Sequence, residues 1–397
     1  MSAAFQSCSD GLEIPYDNPR QGYNRLDNIP SRTPSENTAR TMILYSAGYN
    51  SLSSALKDDI DDICGNYLPD GYSYSDNLLV FAHHSVSDSD YSEETCPCLI
   101  EIYRDREGNT VRDTVRTWPA GTRAVDEDAA TLKEVLTYIK DNYPSKEYGM
   151  VFSSHATGWL PPGYPLSRSI GQDAGTLVEI DAKTFAAAIP MKLEYLIFDA
   201  CLVGGIEVAY EFKDVCEHLV FSQEEILADG LDYNNIVYRL LGTDPSDITG
   251  VAEDFYNHYN TLSGSYRSAT VSAISCEGLG NLAAVCSGIF SSHRDGLSEI
   301  DASAVQPMSH RSTCLFYDFR DILSQLDLSE SEADAVDEAL GECILYKAHT
   351  DRFFSMEINT FSGLSMYLPN AVSGSTREYL DEYYRGFQWN TDSGYIQ

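Results

Sequence analysis

The alternation of short apolar runs with longer amphipathic runs constrains the fold of this chain more than any other feature. The runs at 41–47, 77–84 and 99–104 have the length and the aliphatic, β-branched content of strands. YGMVFSSH (148–155) and LEYLIFD (193–199) repeat the pattern later, after segments with helical spacing. This alternation predicts an α/β fold, in which helices flank a mostly parallel sheet on both faces.

The segments between these runs have the spacing of amphipathic helices. Leu132, Val135, Leu136 and Ile139 recur at helical intervals, and Pro144 follows as a stop signal. Beyond residue 200, we predict further strands at 218–223, 269–275 and 363–369 and further helices at 204–212, 232–242, 248–262 and 277–293, with two acidic helices across 315–347. Additional helices are predicted at 51–63 and 181–189.

Composition divides the chain into three parts. Residues 1–38 are rich in Pro, Ser, Asn and Asp without periodicity, which predicts an extended or disordered lead-in. Residues 39–248 carry the strand-helix alternation and are predicted to form one α/β domain. Residues 249–397 are predicted to form a mixed and helical C-terminal region that packs on that domain.

The formal net charge of −35 limits the classes of partner. Such a field repels phosphate backbones, and no stripe of Lys and Arg is present, so nucleic acid is not an expected partner. The same field attracts cationic ligands, including peptides that carry Arg or Lys. No apolar run approaches the roughly 18 residues that a transmembrane helix needs.

The ten cysteines do not form the regular framework of a small disulfide-rich protein, so we expect most of them to be reduced and buried. The first residues lack the charged start and the apolar core of a complete signal peptide. Cys8 follows Gln-Ser, as at a lipoprotein cleavage site in a shortened sequence. A secreted protein or a bacterial cell-envelope lipoprotein is therefore one expectation for localisation.

A histidine and a cysteine end two of the predicted strands. His155 ends YGMVFSSH, and Cys201 follows LEYLIFD 46 residues later, about one strand-helix-strand circuit. Because parallel strands end at one edge of a sheet, both side chains are expected at the edge where ligands bind. A thiol beside an imidazole is the pairing of nucleophilic catalysis, in which His155 would lower the pKa of the thiol and transfer protons. The backbone amides of Ala156 and Cys201 are candidates for an oxyanion hole.

At these residues the chain resembles a known family. SSHATGW (153–159) and FDACLVGGIEVAYE (198–211) resemble the His and Cys motifs of clostripain-type cysteine peptidases, which are related to caspases, gingipains, legumain and separase. YSAGYNSL (45–52) and GLSMYLP (363–369) also resemble that family, so the similarity extends over residues 40–390. The resemblance implies a caspase-like fold for the catalytic domain and a dyad of Cys201 as nucleophile and His155 as acid and base.

The resemblance also implies cleavage after Arg or Lys through an acyl-enzyme. Asp199, two residues before the nucleophile, and Asp229, in ADGLDY, match acidic residues that line the pocket for the basic side chain. Carboxylates pair strongly with a guanidinium. The alternatives are that Asp199 is only a helix N-cap or a turn residue and that Asp229-Gly230 forms only a turn. Many relatives have His-Gly where this chain has His155-Ala156, so the Ala156 amide depends on a conformation that alanine tolerates.

Autoprocessing is a further expectation. Arg168 lies in a Pro- and Gly-rich loop between His155 and Cys201, and such loops are preferred sites of nicking. We expect a zymogen that cleaves itself between Arg168 and Ser169 into two chains that stay associated, with Lys183 as the second choice. Otherwise we expect a monomer whose partners are peptide or protein substrates.

Other interpretations and sites stay open. The chain is either an active peptidase or a catalytically silent binding or scaffolding protein on the same fold. A preference for Asp before the cut would need basic residues in the pocket, and Lys213 is the nearest to the Cys motif. No cofactor is expected to be required and no metal site is expected: Cys96 and Cys98 lack a second ligand pair, and the His83-His84 pair is expected at the surface. The acidic run Asp58, Asp59, Asp61 and Asp62 is interpreted as a solvated helix face, with a calcium site as the alternative.

Overall fold

The computed structural model describes residues 39–71, 76–87, 93–164, 169–173, 178–311 and 313–397. The strands are β1 (Arg40–Gly48), β2 (Asn77–His84), β3 (Cys98–Arg104), β4 (Thr110–Thr117), β5 (Glu147–Ser153), β6 (Leu193–Asp199), β7 (Cys216–Phe221), β8 (Thr270–Ser275), β9 (Phe316–Asp318), β10 (Ile344–His349), β11 (Arg352–Phe353), β12 (Met356–Glu357) and β13 (Ser365–Tyr367). The helices are α1 (Ser53–Gly65), α2 (Ala130–Asn142), α3 (Ala182–Ala188), α4 (Ile206–Phe212), α5 (Ile248–Thr261), α6 (Leu279–Ser292), α7 (Arg294–Glu299), α8 (Phe319–Ser324), α9 (Glu330–Cys343), α10 (Gly374–Tyr384) and α11 (Gln388–Ser393).

Nine strands form one central sheet in the order β10-β8-β7-β6-β5-β1-β2-β3-β4. The five middle strands from β7 to β2 are parallel, and the two strands at each edge are antiparallel to their neighbours. The middle strands are apolar and buried on both faces, as strands covered by helices on two sides should be. The predicted α/β class with a mostly parallel sheet is confirmed.

Two apolar layers lie on the two faces of the sheet. Side chains alternate along each strand, so that Tyr45 enters one layer and its neighbour Leu44 enters the other. The first layer includes residues of α2, α3, α4, α6, α9, α10 and α11. The second layer includes residues of α1, of a π-helix at Tyr238–Gly242 and of α5. Asp199 follows Tyr195 and Ile197 at alternate positions, and therefore faces the second layer.

Several sequence predictions differ from the structure. The segment 315–347 contains the two predicted helices, α8 and α9, but β9 precedes α8 and β10 follows α9. β4 (TVRDTVRT) is absent from the prediction, because an edge strand with half-exposed side chains has a polar sequence. The predicted helix at 232–242 is a turn that leads into the π-helix.

The sheet continues across the boundary predicted at residue 248. β8 and β10, which belong to the C-terminal region, pair with the sheet beside β7. One hydrogen-bonded sheet thus includes strands from both 39–248 and 249–397. The division of the chain into two domains at residue 248 stays a prediction. The predicted lead-in, 1–38, lies outside the described residues. Among the helices of the described chain, none combines the length and the apolar character needed to cross a bilayer.

The two adjacent histidines at the end of β2 are buried, which corrects the expectation that they lie at the surface. His83 and His84 are both 0% exposed, and the Nε2 atom of His84 lies 2.8 Å from the Ser46 hydroxyl oxygen. Burial lowers the pKa of each imidazole to about 3, so both rings are neutral at physiological pH. The reason is that β2 is an inner strand, whose alternate residues are covered on both faces.

Candidate active site

The ends of β5 and β6 place His155 and Cys201 side by side in the topology. Ser153 is the register partner of Asp199, and the Ser154 amide donates a 3.3 Å hydrogen bond to the Asp199 carbonyl. His155 and Cys201 each lie two residues beyond this register pair. Both side chains therefore leave the sheet at the same carboxyl edge, where open α/β sheets bind ligands.

The loops that follow these two residues are in direct contact. Gly158 has a φ of +70°, and a Cβ atom built on it would lie 2.3 Å from the Leu202 carbonyl oxygen. Leu202 itself has a φ of +62°, which is rare for a residue with a branched side chain. Such backbone strain persists only where surrounding contacts fix the residue. Here the Leu202 amide donates a 2.9 Å hydrogen bond to the Glu224 carbonyl.

The Cys201 sulfur is held by the backbone of Ile226. The thiol donates to the Ile226 carbonyl at 3.7 Å, and the Ile226 amide donates to the sulfur at 3.4 Å. Burial is the main cause that raises the pKa of Cys201 to about 12, and the carboxylates of Glu225 and Asp199 raise it further. The expected lowering of this pKa is therefore absent from this state, and the resting thiol is protonated.

The His155 ring has a partner that the sequence analysis missed. Its Nε2 atom lies 2.8 Å from the Ser51 hydroxyl oxygen, across 104 residues of sequence. Ser51 belongs to YSAGYNSL, the early segment that resembles the clostripain family. That resemblance was the one sequence feature that could have indicated a role for Ser51 at the site. A hydrogen bond to one ring nitrogen fixes the orientation and the tautomer of an imidazole.

The two candidate oxyanion amides keep their N–H groups available among the described residues. Ala156 forms a β-bridge with Ile170, but the flanking hydrogen bonds are donated by Thr157 and Gly171. Ala156 is outside the positive-φ region, so alanine fits this position without left-handed strain. The Cys201 amide likewise donates no hydrogen bond within the described chain.

Asp199 is a buried carboxylate with two side-chain donors. It is 6% exposed, and its Oδ2 atom accepts hydrogen bonds from Tyr233 at 2.8 Å and from Ser153 at 3.1 Å. Burial raises the pKa of Asp199, and these two hydrogen bonds partly offset the increase. No Lys or Arg forms an ion pair with it among the described residues, so the carboxylate is free to receive a cation from a ligand.

Asp229 lies in a turn beside Asp199. Its side chain is 68% exposed, and its Oδ2 atom lies 3.9 Å from the His258 Nε2 atom. The next residue, Gly230, has a φ of +61°, and a Cβ atom there would lie 2.8 Å from the Asp199 Oδ2 atom. The turn interpretation and the pocket interpretation are thus compatible, because the turn itself is what brings Asp229 toward Asp199.

Of the acidic run on α1, Asp58 and Asp62 are exposed and Asp61 is half-exposed, but Asp59 is buried, which corrects the prediction for that residue. Asp59 is only 7% exposed, whereas Asp61 pairs with Arg112 at 2.5 Å and Asp62 accepts from Asn234 at 3.4 Å. The physical reason is the helical register, because Asp59 falls on the same face as the buried residues Leu56, Ile60 and Ile63. Asp59, Asp61 and Asp62 therefore lie in three different environments.

Ser169 is buried, although its loop was expected to be exposed. It is 0% exposed, its hydroxyl donates to the Leu160 carbonyl at 2.6 Å, and its own carbonyl accepts from Thr157 at 2.9 Å. These bonds tie the start of 169–173 to the loop after His155, which is why this residue is covered. Arg168 lies outside the described residues. Lys183 lies in α3, with its ammonium group 4.7 Å from the ring centre of Tyr383.

Two ion pairs connect the segment over Cys201 to the C-terminal region. Glu224 is fully buried and its carboxylate lies 3.1 Å from the His310 Nδ1 atom, while Glu225 pairs with Arg311 at 2.6 Å. Glu224 is the principal cause that raises the pKa of His310. The backbone of the same segment holds Leu202 and Cys201, so the C-terminal region stabilises the loop of the nucleophile.

The only group of metal-ligand side chains in the described ranges lies away from this site. Glu194, Glu217 and His218 place candidate ligand atoms within 4.8 Å of one another at the amino ends of β6 and β7. Cys96 and Cys98 belong to no such group in the part of the chain described. All nine described cysteines are free thiols, and six of them are buried, in agreement with the sequence prediction.

Known proteins are similar to this chain in sequence and in fold. The sequence profile of the clostripain family matches residues 44–395. Clostripain of Hathewaya histolytica is 24% identical over 248 residues, which cover 55% of this chain and 46% of clostripain. The chain thus aligns with about half the length of that relative.

Solved structures are similar over nearly the whole chain. An inactive zymogen of a C11 protease from Parabacteroides distasonis has 25% identity and a TM-score of 0.75. The secreted C11 cysteine protease iotapain from Bacteroides thetaiotaomicron has 26% identity and a TM-score of 0.74. Each comparison covers 90% of this chain and 99% of the other, so the fold is the caspase-like fold of these proteases.

Proposed function

Because this chain belongs to the clostripain family, we propose that it is a cysteine endopeptidase that cleaves peptide bonds after Arg or Lys. The observation that carries the proposal is the pairing of β5 with β6, which places His155 and Cys201 beyond one register pair and joins their loops through Gly158 and Leu202. A buried carboxylate without an ion-pair partner, Asp199, lies two residues before the thiol.

The chemistry begins with the transfer of the Cys201 proton to the imidazole of His155. For this transfer, the thiol leaves the Ile226 carbonyl and turns toward the His155 ring, which Ser51 holds in orientation at the Nε2 atom. The thiolate then attacks the carbonyl carbon of the scissile bond, and the oxyanion accepts hydrogen bonds from the Ala156 and Cys201 amides. His155 donates its proton to the leaving amine, so that an acyl-enzyme and a free amino terminus are formed.

Water completes the reaction. His155 removes a proton from the water, whose oxygen attacks the thioester carbon of the acyl-enzyme. Collapse of the second tetrahedral intermediate breaks the C–S bond and releases the carboxylic acid product. The thiolate recovers its proton from His155, which returns the dyad to the resting state.

Asp199 and Asp229 provide the preference for a basic side chain. A guanidinium or ammonium group placed against Asp199 would recover the electrostatic stabilisation that this carboxylate lacks in the resting state. The more exposed Asp229 would face the same cation from the entrance of the pocket. The strongly negative net charge of −35 also favours the approach of cationic peptides.

Self-cleavage after Arg168 is a second part of the proposal. Since Ser169 is buried and hydrogen-bonded, the 169–173 segment has to open locally before the bond can enter an active site. Wild type is expected to yield two associated fragments, whereas Cys201→Ala and Arg168→Ala should stay intact. Cleavage of Cys201→Ala at the same bond would show that another protease makes the cut.

The proposal is tested with fluorogenic peptides that differ only in having Arg, Lys or Asp before the cut. We expect turnover of the Arg and Lys peptides by wild type, no turnover by Cys201→Ala or His155→Ala, and wild-type rates for the control Cys96→Ala, since Cys96 lies before β3 far along the sheet from β6. Faster turnover of the Asp peptide would contradict the pocket assignment. A complete lack of turnover, with or without calcium, would favour a binding or scaffolding protein.

A further inference from the structure

Asp59 occupies a helix position that normally carries an apolar residue. It lies on the buried face of α1, between Leu56 and Ile63 in the helical register, and it is 7% exposed. No hydrogen-bond donor and no cationic side chain contacts its carboxyl group among the described residues. Burying a carboxyl group without such partners costs free energy, so the position calls for a reason other than stability.

The buried face of α1 places Asp59 in the layer that Asp199 also faces. The Asn66 side chain at the end of α1 donates to Asn234 at 2.8 Å, and the neighbouring Tyr233 donates to Asp199. Both α1 and Tyr233 lie on the second apolar layer, the face of the sheet toward which Asp199 points. Asp59 and Asp199 therefore face the same apolar layer, Asp59 from α1 and Asp199 from the end of β6.

The electrostatics agree with this placement. Burial is the largest cause that raises the pKa of Asp59, and the Asp199 carboxylate is the next. The acidic groups that interact electrostatically with Asp59 are Asp199, Asp62, Asp58 and Asp229, and the phenols of Tyr233 and Tyr259 also interact with it. With no cation present, burial therefore favours the protonated form of both Asp59 and Asp199, and each charge disfavours the other.

We propose that Asp59 is a specificity-determining residue, which releases its proton when a guanidinium enters the pocket and then binds that guanidinium together with Asp199. The inference rests on the proposed cleavage after basic residues. The planar fork of arginine presents donors in several directions and can contact carboxylates from two separate elements, whereas the ammonium of lysine is a single point charge. Asp59 thereby favours Arg over Lys, and the released proton passes to solvent.

The activity test compares Asp59→Asn with the control Asp58→Asn, which makes the same substitution at an exposed neighbour on α1. Asparagine matches the shape of the protonated carboxyl, so the empty pocket keeps its form. We expect Asp59→Asn to lower kcat/KM for the Arg peptide by roughly 10- to 100-fold, and for the Lys peptide by much less. Asp58→Asn should leave the ratio of Arg to Lys cleavage unchanged.

Stability separates recognition from a structural role. Because asparagine carries no charge to bury, Asp59→Asn should be at least as resistant to urea at pH 8 as wild type. Loss of stability, together with an equal fall for the Arg and Lys peptides, would overturn the inference. Identical Arg-to-Lys ratios in Asp59→Asn and wild type would overturn it as well.

Proton release tests the inference without catalysis. A short peptide amide ending in Arg is titrated into Cys201→Ala by calorimetry in two buffers of different ionisation enthalpy. We expect release of about one proton per bound peptide, and loss of this release in Asp59→Asn/Cys201→Ala. If wild type cleaves no basic peptide but this proton release is seen, the proposed function fails and the role of Asp59 in binding stands. If peptides are cleaved and Cys201→Ala binds without proton release, the inference fails alone.

Discussion

The contact between Gly158 and Leu202 predicts that Gly158→Ala separates the two catalytic loops. A Cβ atom at Gly158 would lie 2.3 Å from the Leu202 carbonyl oxygen, whereas ordinary van der Waals contact starts at 3.4 Å. The loops would thus have to move apart by about 1 Å, and misplacement on that scale costs about 10²-fold in rate. Left-handed strain of about 1–2 kcal/mol and overpacking of about 1–3 kcal/mol both lower the free energy of unfolding.

The matched control is Gly108→Ala, in the turn between β3 and β4. Gly108 has a φ of +85°, and no heavy atom lies within 4 Å of the added Cβ, so this variant isolates the cost of the positive φ. Urea unfolding and kcat/KM for the Arg peptide are measured for both variants. We expect a loss of stability in both and a loss of activity in Gly158→Ala alone. Equal stability and equal activity of the two variants would refute the reasoning.

Three further predictions concern pH dependence and positioning. Burial raises the pKa of Glu207 to about 7, so wild-type stability falls as pH rises from about 4.5 to 7; Glu207→Gln should gain urea resistance relative to wild type over that window. Glu224 raises the pKa of His310, so the His310 contribution is present below pH 6.5 and is lost as pH rises through the raised pKa. The stability deficit of His310→Gln should therefore shrink above pH 6.5, and a pH-independent deficit would contradict this pairing. Ser51→Ala removes the partner of His155 and should lower kcat about 2- to 12-fold with little change in KM, and should shift the pH profile of kcat.

The strands and helices that have a clear local sequence pattern could be predicted from the sequence. The runs that became β5 and β6 are mostly apolar, as buried parallel strands are, and they place His155 and Cys201 at one edge. β4 could not be recognised in the same way, because its edge position permits polar side chains. β10 follows α9 directly at Ile344, without a turn signal to mark the change.

Long-range contacts account for what the sequence analysis missed at the site. The Ser51–His155 contact spans 104 residues and the Glu224–His310 contact spans 86 residues, so no local spacing indicates either pair. Asp59 is different, because its place on the apolar stripe with Leu56 and Ile63 was visible in the helical periodicity. A charged residue within such an apolar stripe indicates a buried side chain. The interpretation of the whole acidic run as a solvated face overlooks it.

The adjacency of β5 and β6 has a consequence for the lifetime of a processed molecule. A cut between Arg168 and Ser169 falls between these two neighbouring strands in the middle of the sheet, so the ladder from Gly149 to Ser153 would become a junction between two polypeptides. Each fragment alone would present an unpaired, mostly apolar edge strand, the kind of surface that aggregates. The halves would thus be soluble only as a pair, and separating them would end activity irreversibly.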